Sequence, residues 1–519
     1  MSKLEVRPPI WNKLRYDQRV CFVIGARKKR FAFFNETGTG KTFLSLALMR
    51  YFKRTGETKC NLVLVPNKIN KWEWLEEGFR KHTPSMDCVV LHGSTEGKWA
   101  ALEENPDADA FVETYMGFVR MCCDLKKVTR KRKGKKVKIN KLVPNKKKIR
   151  ALMKRFDGVY LDESTYVKNK AALPWRLCNQ LSKAANAFFI LTATPFGRDV
   201  TDAWGQAFLV DRGQTLGETL GLFRAAFFEE KEEYWGGKEY KLTKIGKRMF
   251  SERLDNVSIA YPADETVMPH LTRVPKYAVL PEAAEQYLDR AKDAMKQAKG
   301  DFQALKNAFL RLRQISSGFV GFKDDDTGVR AKFEFDTNPK LDLLEALVTT
   351  FKPNHKFIVF HEFQHSSKVI MAKLKELGIG AVAINGMTKK SDEARAAFKN
   401  DPKVQALVLS NSAGGYGLNL QFAKYGIYYE SPVGAILRKQ TEKRFDRQYS
   451  LHKTVILYDL IVRGTVDESI LRFHAEGRSL WKAILNTGAE AVFRTPRSVK
   501  RRERDQSHRS VKRRERLAA

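Results

Sequence analysis

Two hydrophobic patterns alternate along this chain. Short, nearly continuous apolar runs recur within 1–200 as "FAFF", "NLVLVP", "CVVLHG", "AFVET", "GVYLDE" and "AFFILTATP", and within 336–480 as "KFIVFHE", "GAVAING", "ALVLSN", "GIYYES" and "TVILYDL". Between them, apolar residues return at helical spacing, as Leu44, Ala47, Leu48 and Tyr51 do in "FLSLALMRYF". Runs buried on both faces, linked by amphipathic helices, predict an α/β fold with two parallel sheets and crossover helices. Residues 201–335 read as mainly helical, typified by "PEAAEQYLDRAKDAMKQAKGDFQALKNAFLRLRQISSG". The expected organisation is a first α/β domain over 1–200, a helical protrusion or linker over 201–335, a second α/β domain over 336–480, and a basic, flexible tail over 481–519.

Composition narrows the class. At 519 residues the chain can fill two or three domain cores, and its 43% hydrophobic content excludes wholesale disorder. It has no apolar run long enough to cross a bilayer, and "MSKLEVRPPIWNKLR" lacks an apolar signal core, so a soluble, unexported protein of a prokaryotic or bacterial-host cytoplasm is expected. The six cysteines form no CxxC pair, which suits reduced thiols and argues against a zinc ribbon.

Charge changes the picture most. The net charge is +36, and two segments concentrate it. Residues 126–150 carry 14 positive and no negative charges, and 494–519 carry 11 positive and 3 negative, with "SVKRRER" written twice. The first sits between strand candidates and reads as a surface insertion; the second reads as a basic arm. A field this large and one-signed favours a polyanion, nucleic acid above all.

The chemistry starts at "FFNETGTGKTFLS", residues 33–45. A strand, a glycine-bearing loop and a helix beginning at Lys41-Thr42 form the context of a phosphate-binding loop. Gly38 and Gly40 let backbone N–H groups turn toward phosphate oxygens at the positive end of the helix. Lys41 would reach the β- and γ-phosphates, and the Thr42 hydroxyl would hold Mg²⁺. Asn35 stands where the pattern wants glycine; after glycine it is among the least strained residues for a tight turn, positive φ included.

"GVYLDEST", 158–165, ends an apolar strand in two carboxylates. A Mg-nucleotide hydrolase needs one to hold the metal shell, here Asp162, and one to orient the attacking water, here Glu163. "LTATP", 191–195, offers Thr192 and Thr194 as links from the nucleotide to a second site. Further on, "NSAGGYGLNLQFA" (411–423) is a glycine-rich turn leaving a strand, and "RKQTEKRFDRQYS" (438–450) places Arg444 and Arg447 three apart, on one helix face if the helix continues. Such a pair suits stabilisation of charge on a transferring phosphoryl group.

In order, "LRYDQ" (14–18), "NETGTGKT" (35–42), "LVLVPNKINKW" (62–72), "DESTYVKN" (162–169), "LTATP", "KFIVFHEF" (356–363), "SNSAGGYGLNLQFA" (410–423) and "QTEKRFDR" (440–447) resemble the superfamily 2 helicase-like ATPases. Within them the chain is most similar to the Swi/Snf-related branch, in particular phage and bacterial members. The resemblance spans about 14–480. It implies two RecA-like domains facing each other across an ATP cleft, with Gln18 recognising adenine. Asn35, Glu36, Thr37, Gly38, Thr39, Gly40, Lys41 and Thr42 would line the phosphates, Thr42 and Asp162 would hold Mg²⁺, and Lys41, Asp162, Glu163, Arg444 and Arg447 would carry catalysis. Nucleic-acid phosphates would be held near Asn67, Lys68 and Thr114 on one domain and near Ser412 and Gly414 on the other.

The implied activity is ATP-driven translocation along DNA, in replication, recombination or repair, by a monomer acting on duplex DNA with no membrane involved. An RNA-dependent or strand-separating helicase and an ATP-gated, non-catalytic nucleic-acid-binding protein are the alternatives. Three positions depart from the branch. Its second-motif histidine is Thr165 here, Ala193 replaces a frequent glycine, and Gln448-Tyr449-Ser450 replaces Ile-Gly-Gln.

Overall fold

Seven parallel strands build the first sheet, in the order Ser258–Ile259, Arg30–Phe33, Ala187–Leu191, Gly158–Asp162, Asn61–Val65, Ala110–Thr114 and Cys88–Val90. The computed structural model describes residues 10–493 apart from 37, 133–134, 194, 196–199, 233–237, 263–268, 299–300, 324–329, 387, 389–390, 415–419, 421, 446–449, 478–479 and 488–489. Alternate residues of each strand serve two separate cores. Ala32, Leu62, Leu64, Phe111, Val159, Leu161 and Phe188 pack on one face, and Phe31, Phe33, Val63, Val112, Tyr160 and Phe189 on the other. Burial of both faces is why these strands read as continuous apolar runs.

The second sheet has six strands, in the order His270–Ala278, Thr454–Val462, Tyr425–Tyr428, Phe357–His361, Ala406–Ser410 and Ala381–Ile384. The five from Thr454–Val462 onward pair in parallel. All the strands expected from the apolar runs are present, and the expected α/β class, two parallel-stranded sheets with flanking helices, is observed. The described residues divide into two compact units. The first is built from Met1–His270, Ala413–Phe422 and Gln440–Lys453, and the second from Leu271–Ser412, Ala423–Lys439 and Thr454–Ala519.

The stretch read as mainly helical is more varied. Among its described residues are five helices, Asp202–Asp211, Leu220–Phe227, Lys244–Leu254, Glu282–Gln297 and Phe302–Ile315. It also supplies an edge strand to each sheet and two antiparallel hairpins, Phe228–Glu232 with Lys238–Leu242 and Phe319–Lys323 with Arg330–Glu334. Ser258–Ile259 is too short to carry a period. His270–Ala278 is half exposed and contains Pro275, which an edge strand tolerates and a central one does not.

The basic insertion is a separate two-stranded sheet, Cys123–Arg132 paired antiparallel with Lys135–Pro144, followed by the helix Lys146–Arg155. Asp124 ties the two together: it accepts from Asn145 Nδ2 at 2.8 Å and pairs with Lys148 Nζ at 2.9 Å. The helix is anchored by Leu152, fully buried in the first unit's core, so the insertion as read from charge overlaps an element of the core. Beyond the second sheet, helices run over Leu480–Thr487 and Glu490–Phe493, and the repeated "SVKRRER" lies outside the described residues.

Candidate active site

The nucleotide loop leaves the strand Arg30–Phe33 and enters the helix Lys41–Arg54. Left-handed turns fall on Gly38 (φ 86°) and Gly40 (φ 77°), as a phosphate cradle needs, and not on Asn35. Asn35 holds the loop by its side chain instead. Its Oδ1 accepts from the Tyr261 amide at 3.1 Å and its Nδ2 donates to Cys21 Sγ at 3.4 Å, which a glycine could not do. Lys41 Nζ donates to the carbonyls of Asn35 (2.8 Å) and Glu36 (3.0 Å), placing the ammonium inside the loop. Thr39 Oγ1 donates to the Glu36 carbonyl at 2.7 Å, and Thr42 is the second residue of the helix.

Gln18 is buried, and its amide is spent on the loop. Nε2 donates to the Thr39 carbonyl at 2.9 Å, and Oε1 accepts from the Arg15 amide at 3.0 Å. A Cβ at position 40 would stand 2.4 Å from Gln18 Nε2, so Gly40 is required by both its φ and this contact. Thr37 lies outside the described residues.

The two carboxylates end the strand Gly158–Asp162, beside the loop's strand-mate Ala187–Leu191. This puts them at the carboxyl edge of the parallel sheet, where open α/β folds build their sites. Asp162 accepts from Trp74 Nε1 at 2.8 Å, and its backbone carbonyl accepts from Tyr115 Oη at 2.9 Å. Glu163 sits in the left-handed region (φ 51°, ψ 58°), a conformation costing a side-chain-bearing residue about 1–3 kcal/mol and typical of working sites. Its Oε1 accepts from Thr192 Oγ1 at 3.3 Å and from Thr165 Oγ1 at 3.4 Å. Desolvation raises the Glu163 pKa and the charge of Asp162 adds to this, while Lys41, Arg444 and the Thr192 hydrogen bond oppose it. A carboxylate so balanced is suited to accept a proton. Thr194 lies outside the described residues.

Arg444 is on the helix Ala435–Phe445, whose end from Gln440 belongs to the first unit, and its charge is felt at Glu163. The neighbouring Lys443 Nζ pairs with Glu36 Oε2 at 3.0 Å. The described helix stops at Phe445, so the expected shared face with Arg447 falls outside the described residues.

The first unit's three candidate phosphate contacts come together because Val65 and Thr114 are register partners on adjacent parallel strands. Asn67 caps the helix Lys68–Glu73, accepting from the amides of Ile69 (2.9 Å) and Asn70 (3.2 Å), and Lys68 is exposed beside it. Thr114 caps the helix Tyr115–Cys122, its Oγ1 accepting from the Gly117 amide at 2.9 Å. Beneath them Glu113 is fully buried between two lysines, 3.1 Å from Lys71 Nζ and 2.5 Å from Lys98 Nζ. Ser412 is exposed on the short helix Asn411–Gly414 and ends a segment of the second unit, whereas Gly414, the last residue of that helix, is counted in the first unit, so the two do not share one unit as expected.

Comparison with known proteins bears on this arrangement directly. The SNF2-related domain family matches residues 20–254, and the helicase conserved C-terminal domain family matches 339–449. The chain thus carries an SNF2-related domain followed by a helicase conserved C-terminal domain. Protein CHROMATIN REMODELING 19 of Arabidopsis thaliana is 22% identical over 526 residues, covering 88% of this chain and 66% of the plant protein. Protein p41 of Acyrthosiphon pisum secondary endosymbiont phage 1 is 22% identical over 487 residues, covering 88% of this chain and 94% of the phage protein. The chain therefore spans about two thirds of the plant relative and nearly all of the phage one. The Sulfolobus solfataricus SWI2/SNF2 ATPase core in complex with dsDNA is 20% identical, with a TM-score of 0.41, covering 95% of this chain and 100% of that one.

An SNF2-related domain followed by a helicase conserved C-terminal domain is the domain content of nucleic-acid-dependent ATP hydrolases. Several residues around this centre escape motif reading. Trp74, which holds Asp162, lies in a wide helical turn at Trp74–Arg80, and Tyr261, which holds Asn35, is far away in sequence. Tyr115 directly follows Thr114, and only the fold carries its hydroxyl to Asp162. Among the described residues no group of three or more His, Cys, Asp or Glu side chains could hold a metal ion.

Proposed function

We propose that this SNF2-related ATPase is a motor that moves along duplex DNA, with ATP as its fuel. The observation that carries the reading is the single sheet edge of the first unit. It bears the phosphate loop and the Asp162–Glu163 pair on three adjoining strands, and Asn67, Lys68 and Thr114 on the next two. In this reading the N–H groups of the loop and Lys41 hold the ATP phosphates, Glu163 orients and deprotonates the attacking water, and Arg444 with Arg447 stabilises charge on the leaving phosphates. Thr42 and Asp162 offer a hydroxyl and a carboxylate oxygen, which suits Mg²⁺, an ion that keeps several waters and takes few protein ligands beside substrate phosphates. When bound, it neutralises phosphate charge.

The basic hairpin and the tail add DNA phosphate contacts without sequence preference. In the hairpin Lys126 and Lys141, both exposed, are direct cross-strand partners. Like charges opposite one another destabilise an isolated two-stranded ribbon, and an anionic partner relieves that cost.

A duplex carrying a triplex-forming third strand tests the motor. The expected result is ATP-dependent release of the third strand while the duplex strands stay paired. Separation of the duplex itself would favour a strand-separating helicase. ATP hydrolysis without third-strand release would overturn translocation.

A further inference from the structure

The hydrogen bond from Tyr115 to Asp162 joins two places that motif reading keeps apart. Thr114, a candidate phosphate contact, immediately precedes Tyr115, and Tyr115 Oη donates to the Asp162 carbonyl at 2.9 Å. That carbonyl belongs to the peptide linking Asp162 to Glu163, the residue held in the left-handed conformation. A rotation of this peptide would swing the Glu163 side chain. The tyrosine is well fixed: it is 1% exposed, and its ring lies flat on Tyr166 with centroids 5.4 Å apart and planes within 2°.

The other end of the connection is equally constrained. Glu113 Oε1 accepts from the Thr114 amide at 2.6 Å and hydroxyl at 3.2 Å, while Lys71 and Lys98 grip the same carboxylate. A Cβ at Gly117 would fall 2.4 Å from this carboxylate, so the first turn of the helix is packed tightly onto it. A displacement of Thr114 therefore passes to Tyr115 with little slack. Burial holds the Tyr115 phenol well above its ordinary pKa, so it remains a donor. Thr165 stands where the family has histidine, and its hydroxyl reaches Glu163 only at 3.4–3.5 Å.

We propose that Tyr115 is a positioning residue that couples nucleic-acid contact at Thr114 to the placement of Glu163, through its hydrogen bond to the Asp162 carbonyl. The proposal rests on the reading that DNA engages Thr114 and stimulates hydrolysis. Tyr115→Phe removes the hydroxyl and keeps the ring. Tyr160→Phe is the control, because Tyr160 is also fully buried, in the strand that ends at Asp162, and its hydroxyl has no hydrogen-bond partner among the described residues.

The experiment measures, in the full chain, nucleotide affinity, duplex-DNA affinity, and ATP turnover with and without saturating duplex DNA. For Tyr115→Phe both affinities stay within about twofold of the unaltered protein, while the ratio of stimulated to unstimulated turnover falls about tenfold, the effect of one buried hydrogen bond. Tyr160→Phe keeps the ratio. A ratio within twofold of normal in Tyr115→Phe, or an equal fall in Tyr160→Phe, would overturn the coupling while leaving DNA dependence intact. An unaltered protein that DNA does not stimulate would overturn both.

Discussion

Glu163→Gln abolishes turnover while leaving ATP bound. The substitution keeps the side chain's size and its hydrogen bonds from Thr192 and Thr165, but removes the group that accepts the water's proton. Loss of a general base costs about 10²–10⁴-fold in kcat. Arg444→Ala, by removing a cation that acts on developing phosphate charge, should cost about 10³-fold or more, again with nucleotide affinity kept. Lys41→Ala should do the opposite and weaken ATP binding. Nucleotide affinity and DNA-stimulated turnover measured on each variant separate these effects. Normal stimulated turnover in either the Glu163 or the Arg444 variant would refute the assigned site.

Excising the outer part of the basic hairpin, 126–141, flattens the salt dependence of duplex binding. The segment carries ten lysines and arginines and forms a sheet of its own, so it can be replaced by a short turn without breaking a core strand. Removing all of 126–150 would also cut the first half of the helix that buries Leu152, and would confuse DNA binding with folding. If the hairpin neutralises roughly 4–5 phosphates, the slope of log K against log salt becomes shallower by about 4. Turnover at saturating DNA stays near normal, because the hairpin contributes nothing to the phosphate loop or the carboxylates. Superimposable salt slopes for the two proteins would show that the hairpin does not touch DNA.

The fold was legible where burial is symmetrical. Central parallel strands such as Asn61–Val65 and Phe357–His361 are apolar on both faces and announce themselves as runs. The edge strands Ser258–Ile259 and His270–Ala278 do not, because one is only two residues long and the other is half exposed. The basic hairpin is hidden by its lysines, which read as a surface insertion and mask the strand pairing of Cys123–Arg132 with Lys135–Pro144.

At the site, motif order singles out the loop, the carboxylates and Arg444 as candidates, because each is read from its own residue types. It misjudged Asn35, whose importance lies in a hydrogen bond to Tyr261, and it was silent on Tyr115 and Trp74. Contacts between residues 47 to 226 positions apart leave no local signature. They exist only because the strands fall side by side. Gln18, assigned to adenine through the family resemblance, has its amide engaged by Thr39 and Arg15, and adenine specificity would act through the same side chain that braces Gly40.

The central claim is that hydrolysis at Glu163 depends on duplex DNA. It is tested most directly by steady-state ATP turnover of the unaltered protein with no nucleic acid, duplex DNA, single-stranded DNA and RNA, each at saturation. The account predicts low turnover alone and a rise of at least tenfold with duplex DNA, larger than with either other polymer. A rate that no nucleic acid changes, or one raised by RNA and not by duplex DNA, would contradict it.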